Sequence, residues 1–324
     1  MLVNPLPYMD DLEQPLSDVP PRDALPWREC RTLVDADMFV YAAGFAVEHH
    51  EPIAYGEGGK LLFHGKGKAE YNKWCKKHPH LAAQVVNLDY LDWIEDFDKC
   101  EMILKQKRLL IKNATRNSPQ SWYLTKGSTL WRNEDATIQA YKGNRKEMVK
   151  PVYYDECRQF MIDRFRAKVC QGMEADDSVA QAARDNEGSV IVASGDKDLR
   201  TISGYQLGLG SIKKGVEYVT PLQACRNLYI QMLMGDRIDN IKGLSGTKGK
   251  RGYGIKTATK AIEQYITEYD MAKFVAKEYK SKYPDGVMSE DGTTHLTWQE
   301  MLVETANLLF LRRYQDVRFK WGED

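Results

Sequence analysis

The chain has 324 residues, with Lys+Arg and Asp+Glu equal at 46 each, so its formal net charge is zero. Hydrophobic residues make up 43% and charged residues 28%, an ordinary globular composition able to build a large core. The balance excludes a net-basic nucleic-acid binder, so any such binding requires local segregation of charge. Scattered cysteines without a CxxC pair argue against a zinc ribbon or disulfide framework, and no apolar run approaches the roughly 20 residues of a membrane span.

Residues 1 to 28 carry six prolines and many acids without apolar periodicity, and read as a loosely ordered leader. A strand is predicted over Arg31 to Val34, then a loop with Asp35 and Asp37 and a helix from about Met38. Residues 49 to 80 are rich in Gly, His and Lys, with a hairpin near 53–63 and a short helix after it. The spacing of Leu91, Ile94, Phe97, Met102 and Leu109 predicts a helix over 91–113. A second strand follows at Ser121 to Thr125, helices over 152–169 and 174–185, and a third strand at Val190 to Ala193.

After a helical turn at Asp198 to Ile202, strands are predicted near 205–209 and 215–219. Pro221 opens a helix running to Met234. Beyond Gly254 the chain reads as mostly helical. Strands alternating with helices predict an α/β fold with a mainly parallel sheet covered on both faces. The core is expected over 29–220, extended by a helical region over 221–324.

Ligand sites of open parallel sheets form at the carboxyl ends of strands, and the acidic clusters fall there. Asp35 and Asp37 follow the first strand, and Asp196 and Asp198 the third. Glu174, Asp176 and Asp177 are read as opening a helix, as are Asp236 and Asp239 in MGDRIDNIKG. Each cluster alone also suits a helix cap or polar turn. Together, such like charges raise one another's pKa unless cations neutralise them. Oxygen donors without nearby His or Cys select Mg²⁺ or Mn²⁺, and two such ions can clamp a phosphodiester during in-line displacement.

KGLSGTKGKRGYGIKTATK, 242 to 260, holds Lys242, Lys248, Lys250, Arg251, Lys256 and Lys260 without an acid. Its glycines, Gly252 and Gly254 among them, allow backbone N–H groups to approach phosphates; a solvated loop is the plainer reading. QAYKGNRKEMVKP, 139 to 151, places Lys142 and Arg145 as candidates to stabilise charge on a scissile phosphate, or as an exposed basic loop.

LVDADMFVY, AYKGNRK, GMEADD, SGDKDLRTI and GDRIDNIKG, followed by GYGIKTA, resemble the 5′-nuclease superfamily. It includes flap endonucleases and the 5′-nuclease domain of bacterial DNA polymerase I, and bacteriophage 5′→3′ exonucleases are the nearest likeness. The resemblance runs from about residue 31 to 265 and leaves out the leader, residues 49–90 and the last fifty or so.

It implies Mg²⁺- or Mn²⁺-dependent hydrolysis of DNA at a 5′ end or flap, in the cytoplasm (the host's, for a phage protein), by a monomer with no membrane partner. Asp35, Glu174, Asp176, Asp177, Asp196, Asp198, Asp236 and Asp239 take the metal-binding positions. Lys142 and Arg145 are the catalytic basic pair at the base of an arch over about 127–150. GDRIDNIKG into GYGIKTA, 235–258, is similar to a helix-turn-helix-type motif that holds duplex DNA, often with K⁺. Thr125 stands where a carboxylate is expected, with Asp37 as a candidate replacement. A catalytically inactive structure-specific DNA-binding protein and a related ribonuclease are the alternatives.

Overall fold

The computed structural model describes residues 14–20, 26–126, 131–145, 149–244 and 252–311, with the backbone alone at 2–3 and 320–321. Within these residues the central sheet has six strands. They are β1 (Arg31–Asp35), β2 (Gln120–Thr125), β3 (Lys168–Cys170), β4 (Val190–Ser194), β5 (Gly204–Gly208) and β6 (Val216–Val219). Their spatial order is β3-β2-β1-β4-β5-β6. Every neighbouring pair is parallel except β5–β6.

The sequence dictates this centre. VIVAS in β4 is buried along its whole length, as a parallel strand covered on both faces must be. Leu33 of β1 stands between Ser121 of β2 and Val192 of β4. The buried Thr32 hydroxyl donates to Ser118 Oγ at 2.9 Å, which in turn donates to the Cys30 carbonyl. Connections leave the sheet in opposite directions from β1 and β4, and between them lies the crevice where α/β sheets place ligands.

The helix Ala175–Asp185 buries Val179, Ala180 and Ala183 against Leu33, Tyr123 and Val192. A second core joins the helices Pro221–Met234, Ile255–Ile262, Glu268–Lys282 and Trp298–Leu309 through Tyr229, Met232, Ala258, Met271 and Met301. The first of these starts on a reciprocal cap between Thr220 and Gln223, with Pro221 at its opening position.

The chain divides into two compact units: residues 1–37, 110–148 and 166–324 form one, and 38–109 with 149–165 the other. The central sheet belongs to the first. The second holds an antiparallel sheet in which Glu48–Tyr55 lies between Leu61–His64 and Asn87–Ile94, with the helices Lys68–Lys77 and Tyr154–Phe165.

Two expectations are corrected. Leu91 and Ile94 lie in a strand, not a helix, and the long helix begins at Phe97. Their spacing mimics a helical face, yet Trp93 pairs with His49, ring on ring at 3.9 Å, and Asp92 pairs with His50. The helix expected over 152–169 spans Tyr154–Phe165. Arg166 takes a positive φ of 56°, and Lys168–Cys170 then joins the sheet beside Tyr123–Thr125. The hairpin near 53–63 and the strand and helix positions around β2, β4, β5 and β6 are as expected.

Trp122 is 1% exposed in the middle of β2. Trp122→Ala should lower unfolding free energy by about 3–5 kcal/mol, read from urea denaturation.

Candidate active site

The crevice between β1 and β4 gathers acids through short local bonds. Asp35 ends β1, and its carboxylate accepts the Ser194 hydroxyl at 2.9 Å. Ser194 ends β4, and its oxygen accepts the Asp196 N–H at 2.9 Å; Asp196 then accepts the N–H of Asp198. Asp37 accepts the Thr125 N–H at 3.1 and 3.2 Å, at the end of β2. The Thr125 hydroxyl accepts the N–H of Ala175 at 2.8 Å. Thr125 thus brackets the β1 loop to the helix that carries the EADD acids.

Glu174 stands at the N-terminal boundary of that helix with no side-chain bond to its N–H groups. Its carboxylate accepts Arg132 Nη1 at 2.9 Å and pairs with Lys142, and Tyr141 Oη lies 2.6 Å away. Asp177 is fully buried and receives both Arg132 Nη atoms at 2.6 and 2.9 Å, as well as Trp131 Nε1 at 3.1 Å. Arg132 itself is 2% exposed and spends its Nε on the Leu308 carbonyl.

Asp236 and Asp239 lie in a tight hairpin, Gly235–Asp236 against Ile241–Lys242, rather than at a helix start. Gly235 has a φ of 66°, and a Cβ on Gly243 would fall 2.1 Å from the Gly235 nitrogen. Only glycines permit this backbone contact. Asp236 caps its own turn by accepting the N–H of Ile238 at 2.7 Å, and Lys197 donates to Asp236 and Asp198 at 2.5 and 2.7 Å.

The hairpin interlocks with AYKGNR. The Lys142 N–H donates to the Asp239 carbonyl, Asn240 Nδ2 to Ala140, and Asn144 Nδ2 to Arg237. Arg145 pairs with the Asp239 carboxylate, and Tyr141 Oη is 3.0 Å from it.

Burial, then repulsion from Asp37, raises Asp35 to about 7. Burial, then Asp177, pushes Asp176 up as well, with Glu174 and Asp35 adding to it. Burial and Asp196 raise Asp198 to about 6 despite Lys197. Burial also works against ionised Glu174 and Asp236, but Arg132 and Lys142 lower the first and Lys197 the second. Acids outnumber cations here, and the donors are all oxygen, a set suited to hard divalent ions. Glu174, Asp177, Asp198, Asp236 and Asp239 turn to side-chain cations, and among the described residues no three acidic, His or Cys groups converge to hold one ion.

No family model matches the sequence. DNA polymerase I of Bacillus caldotenax is 32% identical over 161 residues, 44% of this chain and 17% of that protein. DNA polymerase I of Bacillus subtilis (strain 168) is 28% identical over 207 residues, 56% of the chain and 23% of the relative. The resemblance to the 5′-nuclease superfamily holds. The chain spans less than a quarter of the length of these two polymerases.

A solved bacteriophage T5 flap endonuclease in complex with DNA and metal ions aligns at a TM-score of 0.48 and 16% identity, over 68% of this chain and 83% of that one. The catalytic core of Rad2 with a DNA substrate aligns at 0.42 and 15%, over 89% and 76%. Likenesses this distant add nothing to the sheet order already described.

For the basic segments read from the superfamily resemblance, Lys242 is half-buried over the Tyr283 ring, 5.8 Å from its centroid, and burial lowers its pKa. Gly252 and Gly254 precede the helix Ile255–Ile262, with Gly254 at its cap and Lys256 exposed. Lys248, Lys250 and Arg251 lie outside the described residues, as do 127–130 and 146–148 of the expected arch. Its described part is a short helix, Trp131–Asp135, and a single turn at Gly143–Arg145.

Sequence reading missed Arg132, Tyr141, Ser194 and Lys197 as partners of the acids. Tyr141 adjoins Lys142, and Lys197 sits between Asp196 and Asp198, so both were within reach. Arg132 carries no local signal.

Arg132→Met should cost about 3–5 kcal/mol by stranding Glu174 and Asp177 without their shared cation, measured by thermal or urea unfolding. A carboxyl raised on folding contributes most below its unfolded pKa of about 4 and loses that contribution as pH climbs toward 7. Asp35→Asn, freed of divalent ions, should therefore melt above the parent at pH 8, with the gap closing toward pH 4.

Proposed function

We propose that the chain is a divalent-metal-dependent 5′ nuclease that hydrolyses DNA at a free 5′ end or 5′ flap. The reading is supported by the chain of repulsions among buried acids: Asp35 is shifted up by burial, Asp37 and Asp196, Asp176 by burial, Asp177, Glu174 and Asp35, and Asp198 by burial, Asp196 and Asp236. Such crowding destabilises a fold unless a cation is its purpose.

Asp35, Glu174, Asp176, Asp196, Asp198, Asp236 and Asp239 would hold two Mg²⁺ or Mn²⁺ ions. When bound, these supply an activated water and a clamp on the phosphodiester oxygens. Lys142 and Arg145, which pair with Glu174 and Asp239, would then turn to the scissile phosphate and offset its developing charge. Asp177, enclosed by Arg132 and Trp131, would position this array from beneath.

Lys242, Lys248, Lys250, Arg251, Gly252, Gly254 and Lys256 are assigned to duplex DNA, with K⁺ as an added ligand of that segment. The setting would be the cytoplasm; no described helix is long and apolar enough to cross a membrane. The inactive DNA-binding alternative draws support from Thr125, which serves as a bracket and not as a carboxylate.

Asp176→Asn should reduce cleavage of a 5′-flap duplex by at least about 10²–10³-fold while DNA affinity stays near that of the parent. Mg²⁺ should raise the melting temperature of the parent through selective binding to the native state, and much less that of the variant. Wild-type cleavage by the variant, or no Mg²⁺-dependent product from the parent, would remove the nuclease assignment.

A further inference from the structure

The second unit contains a charge segregation that the carboxylate site does not use. Lys60, Lys66, Lys68, Lys73, Lys76 and Lys77 face a single acid, Glu70, within residues 60–77. All six lysines are exposed. Glu70 is turned back on the loop, where its carboxylate accepts the Lys66 N–H at 2.8 Å. In a chain of zero net charge this is a strongly basic surface.

The same segment carries aromatic rings. Phe63 lies 5.4 Å from Tyr71 and 5.1 Å from Trp74, and Trp74 is followed by His78 at 6.1 Å. A plain reading makes them a small core between hairpin and helix. However, the helix Lys68–Lys77 has no buried residue, and Leu61 and Tyr90 of the same sheet are 57% and 48% exposed. Lys68 stands three residues before Tyr71, and Lys77 three after Trp74, so lysines border the ring face on both sides. Half-open rings edged by lysines suit a strand whose phosphates meet cations and whose unpaired bases stack. A duplex keeps its bases stacked inside and would leave the rings idle.

We infer that residues 60–80 form a contact surface for single-stranded nucleic acid. The choice of partner rests on the nuclease reading, but the binding does not depend on the carboxylates. The test uses the full chain in EDTA with a labelled oligo(dT) and, in parallel, a blunt duplex of equal length.

Lys68→Gln/Lys73→Gln/Lys77→Gln should weaken oligo(dT) binding at least tenfold near 0.1 M salt. It should reduce the slope of log affinity against log salt by about 2, from three phosphate contacts. Duplex binding and Mg²⁺-dependent cleavage of a blunt substrate should be unchanged. Iododeoxyuridine in the strand should crosslink to the 60–80 peptide of the parent. An unchanged slope, equal loss on the duplex, or crosslinks only elsewhere would overturn the inference. Lysine-dependent binding by a protein without Mg²⁺-dependent cleavage would sink the nuclease reading alone.

Discussion

Mutual repulsion among carboxylates is the constraint to which the rest of the site answers. The order β3-β2-β1-β4-β5-β6 brings the ends of β1, β2 and β4 side by side, and each ends on or next to an acid or its anchor. Left alone, those charges would oppose folding. The structure disperses them onto backbone N–H groups, hydroxyls and the side chains of Arg132, Lys142, Arg145 and Lys197. Among the described residues Asp35 and Asp176 lack such a cation partner, and burial and neighbouring acids push both carboxyls up.

The turn that holds Asp236 and Asp239 and the turn that holds Lys142 and Arg145 act as one body. Lys142 and Asn240 adopt left-handed backbone, with φ of 52° and 57°, a conformation non-glycine residues take at a cost. Bonds running both ways between 139–145 and 236–240 compensate it. Behind the second turn, Gly235 and Gly243 allow two backbone segments to touch. The basic pair and the aspartate it meets are therefore positioned by backbone geometry and not by flexible side chains alone.

Much of this was legible in the sequence. VIVAS, the Pro221 helix start and the acids after β1 and β4 follow from periodicity and turn chemistry, because those signals are local. The strand at Asn87–Ile94 was not, since three apolar residues happened to fall at helical spacing while the pairing that decided the matter lies some forty positions away in His49 and His50. Arg132 was invisible for the same reason: its partners, Glu174, Asp177 and Leu308, are distant in sequence. Thr125 was seen as a departure, but its service as acceptor for Ala175 and donor to Asp37 required coordinates.

The enclosure of Asp177 changes how a set of substitutions would have to be interpreted. Its neighbour in sequence, Asp176, and Glu174, which shares Arg132 with it, sit in the same acidic run, so on the proposed nuclease reading an alanine survey would register all of them as inactivating. For Asp177 the origin would be different: removing it leaves a guanidinium buried without its bidentate acceptor, and the loss would come from misassembled protein. Soluble yield would therefore separate this foundation stone from the acids proposed to hold metal.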